Sequence, residues 1–509
     1  MKMPTKAELL RLQKQYHTDK RIAEALGGNV TEHLVQYWRR KKGIPRRSFP
    51  KYSEALIREL WERFGDDFRC GRELGLSKAG FYSWRRRYGI KEKPRTLKLE
   101  QLELRFGSEP KMGRNGVFIE YYRTAAEKIL AKCSDVNMVE SDKAIEVTPD
   151  LILIDASNRK QSESLHVSSQ VADKVRLITG RKGSTPNGRA GELKAAENVF
   201  SLVQGDDIVP SILIAQNDCI AGGLSAFSTL TIKVNESQMT QTLKTGKFSL
   251  RVPATVRITL QDRLQRGVTA FDILSYAVAN LPESVFENHF VEYAGNVVEK
   301  LDIYERICLC HLTQASGAAC GYTVFDETTR RFLAKRGRTD FKVWFSDSKA
   351  FYHQDYVLTI SGLEPQAVLA GDLTSSQRVK DLGEIKPIET VFIGGACAGG
   401  TQAIKQVSEL LKGQKISAST RLFVSPMCED TYLDAMKRRF LIPIVEAGGV
   451  ILPPGYLLED IPGFDSRAKA TVLATPYTYG TSYPVNCWLV NHLTAAASAL
   501  KGELTYYKK

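Results

Sequence analysis

Residues 391–400 read VFIGGACAGG and run into TQAIKQVSELLKG. An apolar run ending in glycines, followed by apolar residues at helical spacing, predicts a buried strand, a tight turn and an amphipathic helix. A glycine turn at the carboxyl end of a parallel-type strand lets backbone N–H groups approach an anion at the helix N-terminus. The same glycines also serve as plain turn geometry, and both readings stay open. Gly394, Gly395, Ala396, Cys397 and Gly399, with Arg181 and Lys182 from another strand end, are therefore the candidate contacts for a small carboxylate.

Working outward, comparable runs recur at DLILIDAS (150–157), KVRLITG (174–180), SILIAQND (211–218), TRLFVSP (420–426) and GVILPPG (449–455). Short Val/Ile/Leu runs that end in small or polar residues, each near a helical stretch, predict α/β layers with parallel sheets. Ligands in such folds sit beyond the strand carboxyl ends. At 509 residues the chain is too long for one core. No apolar run approaches the ~20 residues that span a bilayer. The opening MKMPTKAELLRLQKQY has no apolar signal core, so a cytoplasmic protein without membrane contact is expected. Nine cysteines contain no Cys-x-x-Cys pair, which argues against a disulfide framework and the common zinc spacings.

Charge is segregated. Residues 1–98 hold 25 Lys+Arg against 11 Asp+Glu, while the rest of the chain holds 46 of each. A basic end on a neutral body suggests nucleic-acid binding joined to a different task. That basic end is duplicated. LLRLQKQYHTDKRIAEALGGNVTEHLVQYWRRKKGIP (9–45) aligns with LIRELWERFGDDFRCGRELGLSKAGFYSWRRRYGIKEKP (56–94), matching Leu26-Gly27 to Leu74-Gly75 and Trp38-Arg39-Arg40 to Trp84-Arg85-Arg86.

Each copy predicts helix, short helix, glycine turn and helix, and resembles a helix-turn-helix unit whose last helix enters the DNA major groove. Thr31 and Ser77 are the expected N-caps. Glu32, His33 and Gln36, and Lys78, Ala79 and Tyr82, would face base edges. Arg39, Arg40, Lys41 and Lys42, and Arg85, Arg86 and Arg87, would neutralise phosphates. Trp38 and Trp84 are expected to close the two small cores. Two units in one chain could replace the usual dimer, so a homo-oligomer is allowed but not required.

Further segments carry a family likeness: LKTGKFSLRVPATVRITLQDRLQRGVTAFDILSYAVANL (243–281), HFVEYAGNVVEKLDIYERICLCHLTQASGAACGYTVFDETT (289–329), EAGGVILPPG (446–455) and WLVNHLTAAASALKGEL (488–504). From about residue 124 onward the sequence resembles the aconitase superfamily, most closely the large subunit of 3-isopropylmalate dehydratase and homoaconitase. The resemblance implies a three-layer α/β/α body with parallel sheets and no swivelling domain. It also implies hydration and dehydration of hydroxy-acids at a [4Fe–4S] cluster held by three cysteines.

The departures from that pattern are specific. Ala396 stands at the first ligand position, with Cys397 one residue later, and Pro453-Pro454-Gly455 leads into YLLEDIPGF without a cysteine. Gly180-Arg181 replaces an Asp-His pair, Asn217-Asp218-Cys219 replaces an Asp-Ser-His run, and Gln314 replaces a glutamate. ATPYTYGTSYP (474–484) lacks the substrate arginine. Glu305-Arg306 reads as a surviving ion pair at the old site, and Cys308-x-Cys310 as one core thiol and one facing away.

The expected organisation is helix-turn-helix units at 1–49 and 50–95, a linker at 96–120 and the aconitase-like body at 121–509. The expected function is a DNA-binding transcriptional regulator whose body has no catalytic residue, no metal and no [4Fe–4S] cofactor, and senses a small carboxylate. The second reading is a divergent hydro-lyase or isomerase working without iron through Asp218, Cys219 or Glu305.

Overall fold

The structure is a computed structural model that describes residues 3–16, 18–45, 52–64, 67–91, 96–102, 122–155, 167–178, 194–196, 210–216, 220–338, 342–383, 385, 387–461, 463–464, 471–476, 483–484 and 486–507. Arg181, Lys182, Asp218, Cys219 and most of the expected linker lie outside these residues. The chain divides into two compact units, Met1–Pro94 and Arg95–Lys509.

The first unit holds two copies of one three-helix pattern: α1 (Lys6–Tyr16), α2 (Asp19–Leu26) and α3 (Glu32–Lys41), then α4 (Glu54–Phe64), α5 (Asp67–Glu73) and α6 (Lys78–Arg87). The last helix of each copy starts where a hydroxyl takes an otherwise unpaired N–H: Thr31 Oγ1 accepts from Leu34 at 3.3 Å and Ser77 Oγ from Gly80 at 3.1 Å. Each copy has its own apolar core, one around Leu9, Ile22, Val35 and Trp38, the other around Ile57, Trp61, Cys70 and Phe81. Trp38 is buried, and Trp84 packs partly buried against the second core.

The structure corrects two expected phosphate contacts. Arg39 and Arg85 are each 3% exposed. Arg39 Nε and Nη2 donate to Asp19 Oδ1 and Oδ2, both at 2.7 Å, and Nη1 donates to Ile44 O at 3.1 Å. Arg85 repeats the arrangement with Asp67 at 2.7 and 2.9 Å and with Ile90 O at 3.0 Å. Helical spacing is the reason: Val35, Trp38 and Arg39 share the inward face of α3, so the first arginine of each Trp-Arg-Arg run turns inward and the second outward.

In the second unit, parallel strands predominate. One five-stranded sheet has the order β5-β4-β3-β6-β7 and is parallel throughout, from β3 (Leu151–Asp155), β4 (Val175–Ile178), β5 (Lys194–Ala196), β6 (Ile212–Gln216) and β7 (Leu230–Val234). A second, β1-β12-β9-β10-β11, is parallel apart from its edge strand β1 (Lys98–Gln101). Its other members are β9 (Thr255–Gln261), β10 (Phe290–Ala294), β11 (Cys320–Thr323) and β12 (Gln354–Thr359). The seven-stranded sheet β14-β13-β19-β18-β15-β16-β17 uses β13 (Gln366–Leu369), β14 (Gln377–Arg378), β15 (Thr390–Ile393), β16 (Arg421–Val424), β17 (Val450–Ile451), β18 (Val472–Ala474) and β19 (Cys487–Val490). A small antiparallel pair joins β2 (Ala144–Val147) to β8 (Phe248–Arg251).

The helices of this unit are α7 (Ala125–Lys132), α8 (Glu236–Thr245), α9 (Ala270–Asn280), α10 (Ile303–Ala315), α11 (Glu327–Ala334), α12 (Gly395–Ala398), α13 (Thr401–Leu411), α14 (Glu429–Lys437), α15 (Leu441–Glu446) and α16 (His492–Lys501). β15 is followed in the sheet by β16 on one side and β18 on the other, so the opening glycine stretch lies at a switch in strand order. Among the described residues, no helix is long and apolar enough to cross a membrane.

Removing one partner of the Asp19–Arg39 pair strands a buried charge, which costs about 3–5 kcal/mol, whereas replacing both by apolar residues is near neutral. We expect Arg39→Ala to abolish hydrogen-exchange protection over residues 6–44 and leave 54–90 protected. Asp19→Leu combined with Arg39→Met should restore it, read by mass spectrometry.

Candidate active site

A cleft of about 1160 Å³ opens within the 95–509 unit. Its walls are residues 264–269 after β9, residues 300–305 after β10, the end of α11, and helices α13 and α14. Two of these segments leave the carboxyl ends of neighbouring parallel strands, where this class of fold places ligands. Arg266, Lys300, Lys335, Arg336, Lys405, Lys437 and Arg438 line the cleft. Arg336 pairs with Asp430 at 3.5 Å, Lys405 with Glu409 at 3.7 Å and Arg438 with Asp434 at 2.8 Å. Arg266, Lys335 and Lys437 have no ion pair among the described residues.

Carboxyl groups gather where α9 and α10 begin. Asp302 caps α10, accepting N–H bonds from Tyr304 at 2.8 Å and Glu305 at 3.0 Å. Glu305 occupies the third position of α10, only partly exposed, and lines the cleft. Its Oε2 accepts the Ala270 N–H at the start of α9. Burial, and then the nearby Asp302 and Asp272 carboxylates, push Glu305 up to about 8, against the pull of the Ala270 N–H. Glu305 is thus mostly a neutral carboxylic acid at pH 7, able to donate a proton.

Asp272 is fully buried and pushed up to about 6 by that burial, although four hydrogen bonds favour its charged form. They come from Thr269 N at 2.7 Å, Thr269 Oγ1 at 3.0 Å, Gln366 N at 2.7 Å and Asn491 Nδ2 at 2.8 Å.

One turn beyond Glu305, Cys308 is buried in the core against which Cys397 packs. Burial and the Cys397 thiol raise Cys308 well above the usual thiol range. Cys310 is buried in a different cluster, with Leu151 and Leu213, so both thiols of Cys308-x-Cys310 are core residues on different sides of α10, where one was expected to face away.

The glycine turn is placed differently from its candidate role. Gly394, Gly395, Ala396, Cys397 and Gly399 do not line the cleft. Gly394 donates its N–H to Thr475 Oγ1 and Gly399 donates to Gly395 O, both at 2.9 Å. A Cβ on Gly399 would lie 2.5 Å from Met427 N, and one on Gly400 would lie 2.4 Å from Tyr304 Cγ. Close packing, with φ +69° at Gly395, accounts for these glycines.

Two neighbouring expectations also change. Arg306 does not pair with Glu305: it is fully buried and grips Asp326 through Nη1 at 2.8 Å and Nη2 at 2.6 Å. Gln314, where the family has a glutamate, donates its amide to Thr231 O at 2.9 Å and Ala319 O at 3.0 Å. A carboxylate there would face two carbonyl oxygens, so this residue is a stitch between α10 and β7.

Asp302 was missed. Its signal is the pattern Asp302-x-x-Glu305, which reads as a capping box. The caps form at Asp302, but the Glu305 carboxyl turns to α9 instead of folding back on its own helix.

Comparison with known proteins follows the same lines. Residues 208–367 match the aconitase family (aconitate hydratase). The chain is 30% identical over 298 residues to a 3-isopropylmalate dehydratase large subunit of Methanopyrus kandleri, covering 56% of this chain and 69% of that protein. The large subunit from Moorella thermoacetica is 25% identical over 417 residues, covering 75% and 97%. The solved holo-form of Thermococcus kodakaraensis aconitase X aligns with a TM-score of 0.38 at 13% identity, covering 71% of this chain and 93% of that one.

These relationships correct the expectation that no cofactor belongs here, because aconitase-family proteins and dehydratase large subunits normally bind a [4Fe–4S] cluster. The described residues do not supply the three-thiolate set that such a cluster uses. Ala396 is apolar and buried, and the Cys308 and Cys397 thiols meet inside a core. Among the described residues no three His, Cys, Asp or Glu side chains converge as a metal site. With residues 208–367 matching the family model and 30% identity running through more than two thirds of a dehydratase large subunit, this chain belongs to the aconitase family.

Proposed function

We propose that the 95–509 unit is a hydro-lyase-type body that takes a small polycarboxylate into the cleft, and that the basic N-terminal unit binds double-stranded DNA. The observation that carries the first part is Glu305, a carboxyl group held near pKa 8 and opening into a cation-lined cleft. Arg266, Lys335 and Lys437, which have no ion pair among the described residues, could hold the carboxylates of a substrate. A neutral Glu305 can protonate a departing hydroxyl, and its carboxylate can take a proton back in the hydration direction. Kinship with 3-isopropylmalate dehydratase large subunits supports hydroxy-diacids as the substrate class.

The DNA part is favoured by a specific observation: the whole net charge of +14 lies in residues 1–98, where two helices present Arg40, Lys41, Arg86 and Arg87 outward. A DNA-bound regulator with a ligand-responsive body, working in the cytoplasm, is the fuller form of this reading.

Four measurements test it. Calorimetry with isopropylmalate, citrate and related diacids should give saturable heat that Arg266→Ala with Lys437→Ala removes; silence across the set sinks the cleft assignment. Dehydration of a hydroxy-diacid should slow as pH rises through about 8, and Glu305→Gln should lower the rate by roughly 10²–10⁴-fold. Turnover unchanged in that variant would place the proton elsewhere.

Stability gives a reading independent of activity. Because the folded-state pKa of Glu305 is raised from 4.5 to about 8, its contribution is full below pH 4.5 and is lost as pH climbs through 8. Glu305→Gln should flatten the fall in Tm across that window and melt higher than wild type at pH 9.

For the basic unit, deleting residues 1–98 should abolish salt-dependent duplex binding, read by fluorescence anisotropy at two salt concentrations. Equal binding by the truncated chain would end the assignment.

A further inference from the structure

The two N-terminal copies are alike inside and unlike outside. Aligned by their Trp-Arg-Arg runs, α3 and α6 share a hydroxyl N-cap, a buried apolar residue (Val35, Phe81) and a buried arginine locked to the start of the preceding helix. They also share two outward cations at the C-terminal end. Every position on the exposed side of the first two turns differs. Glu32 aligns with Lys78, His33 with Ala79, Gln36 with Tyr82 and Tyr37 with Ser83.

All of these are exposed except the half-buried Gln36; Tyr37 is 56% and Tyr82 44% exposed. The first pair reverses sign at the same place in the helix, one residue after the cap. Internal duplication has therefore kept what builds the unit and what meets phosphate, and changed what would meet base edges.

We propose that one chain reads a composite duplex DNA element made of two unlike blocks in a fixed order, not a palindrome; this rests on the DNA-binding reading above. The side chains indicate the content of each block. A carboxylate at Glu32 accepts from the cytosine amino group and Gln36 pairs with adenine, so the first block contains C and A. An ammonium at Lys78 donates to guanine O6 and N7, and the small Ala79 leaves room for a thymine methyl, so the second block contains G and T. The arginines do not blur this assignment. Arg39 and Arg85 are consumed by Asp19 and Asp67, which leaves base reading to the residues that differ.

The bidentate pairs also fix each reading helix against its partner helix, so its exposed residues arrive pre-positioned and not on a swinging support. The order of the two blocks follows from their being on one chain: reversing the element on the duplex would set Glu32 against the guanine block and Lys78 against the cytosine block.

Selection of bound duplexes from a random pool by the full-length chain tests this. Wild type should recover two different blocks in constant relative orientation. Glu32→Lys should change preference in one block only, by on the order of 10–100-fold at the affected base, and Lys78→Glu in the other block only. Both sites are exposed first-turn residues, and circular dichroism melts of the variants should match wild type. A palindrome, two copies of one block, or a motif that neither substitution alters would overturn the inference. Failure to retain any duplex would instead overturn the DNA-binding reading beneath it.

Discussion

The Asp272 carboxyl is the constraint on which the site depends. It sits fully buried at the start of α9 and accepts hydrogen bonds from three separate parts of the chain: Thr269 after β9, Gln366 at β13 and Asn491 before α16. Two sheets are tied together there, because β9 belongs to one and β13 to the other. A buried carboxyl is costly unless its oxygens are satisfied, and these are. With the amino end of α9 held by Asp272, the next N–H, that of Ala270, is fixed in place to receive Glu305. Asp272 thus fixes where Glu305 sits, whereas the high proton affinity of Glu305 comes first from burial and then from Asp302, with Asp272 adding less. The group is held by a peptide N–H, yet it remains within reach of two other buried carboxyls that resist its ionisation.

The N-terminal unit solves a different problem with the same chemistry. Three short helices bury little apolar area, and a domain of this size has a marginal core. A buried, bidentate Asp–Arg pair adds little net stability by comparison with an apolar pair, because desolvation offsets the attraction. What it adds is geometry: each arginine joins the start of the second helix to the turn after the third, through Ile44 O or Ile90 O. In the second copy Arg85 also lies 4.2 Å from the Trp61 ring centroid, so all three helices meet at one guanidinium. Repetition of this device at both copies supports reading it as a positioning feature and not as an incidental ion pair.

Local signals in the sequence were legible where they were local in cause. The tandem repeat, the caps at Thr31 and Ser77, the strand-turn-helix at 391–411 and the parallel α/β layering all follow from residues within a few positions of each other. Burial of Arg39 and Arg85 was not, because adjacent arginines look identical until helical phase and a distant acid are considered. The signal existed in Asp19 and Asp67, which share the offset of 48 that relates Leu26 to Leu74. Gln314 and Arg306 were assigned to the old active site by alignment; their partners, Thr231 O and Asp326, come from other elements and could not be read from neighbours. The glycine turn was read correctly as a turn, but its glycines answer to Tyr304 and Met427 packing on them, contacts set by tertiary structure.

On the function proposed above, Glu305 and the surrounding cations place binding and protonation in one system. An anionic ligand seated among Arg266, Lys335 and Lys437 neutralises charges that would otherwise favour ionised carboxyls nearby, and adds negative charge of its own. Both effects raise the proton affinity of Glu305 further. By linkage, a group that binds protons more tightly in the liganded state must make ligand binding tighter when protonated. A cleft organised in this way favours its acid form at the moment it is filled, and holds Glu305 ready to donate while the ligand is in place. On this proposal the cation rim would supply affinity, and burial, followed by Asp302 and then Asp272, would set the pH range over which that affinity is coupled to a proton.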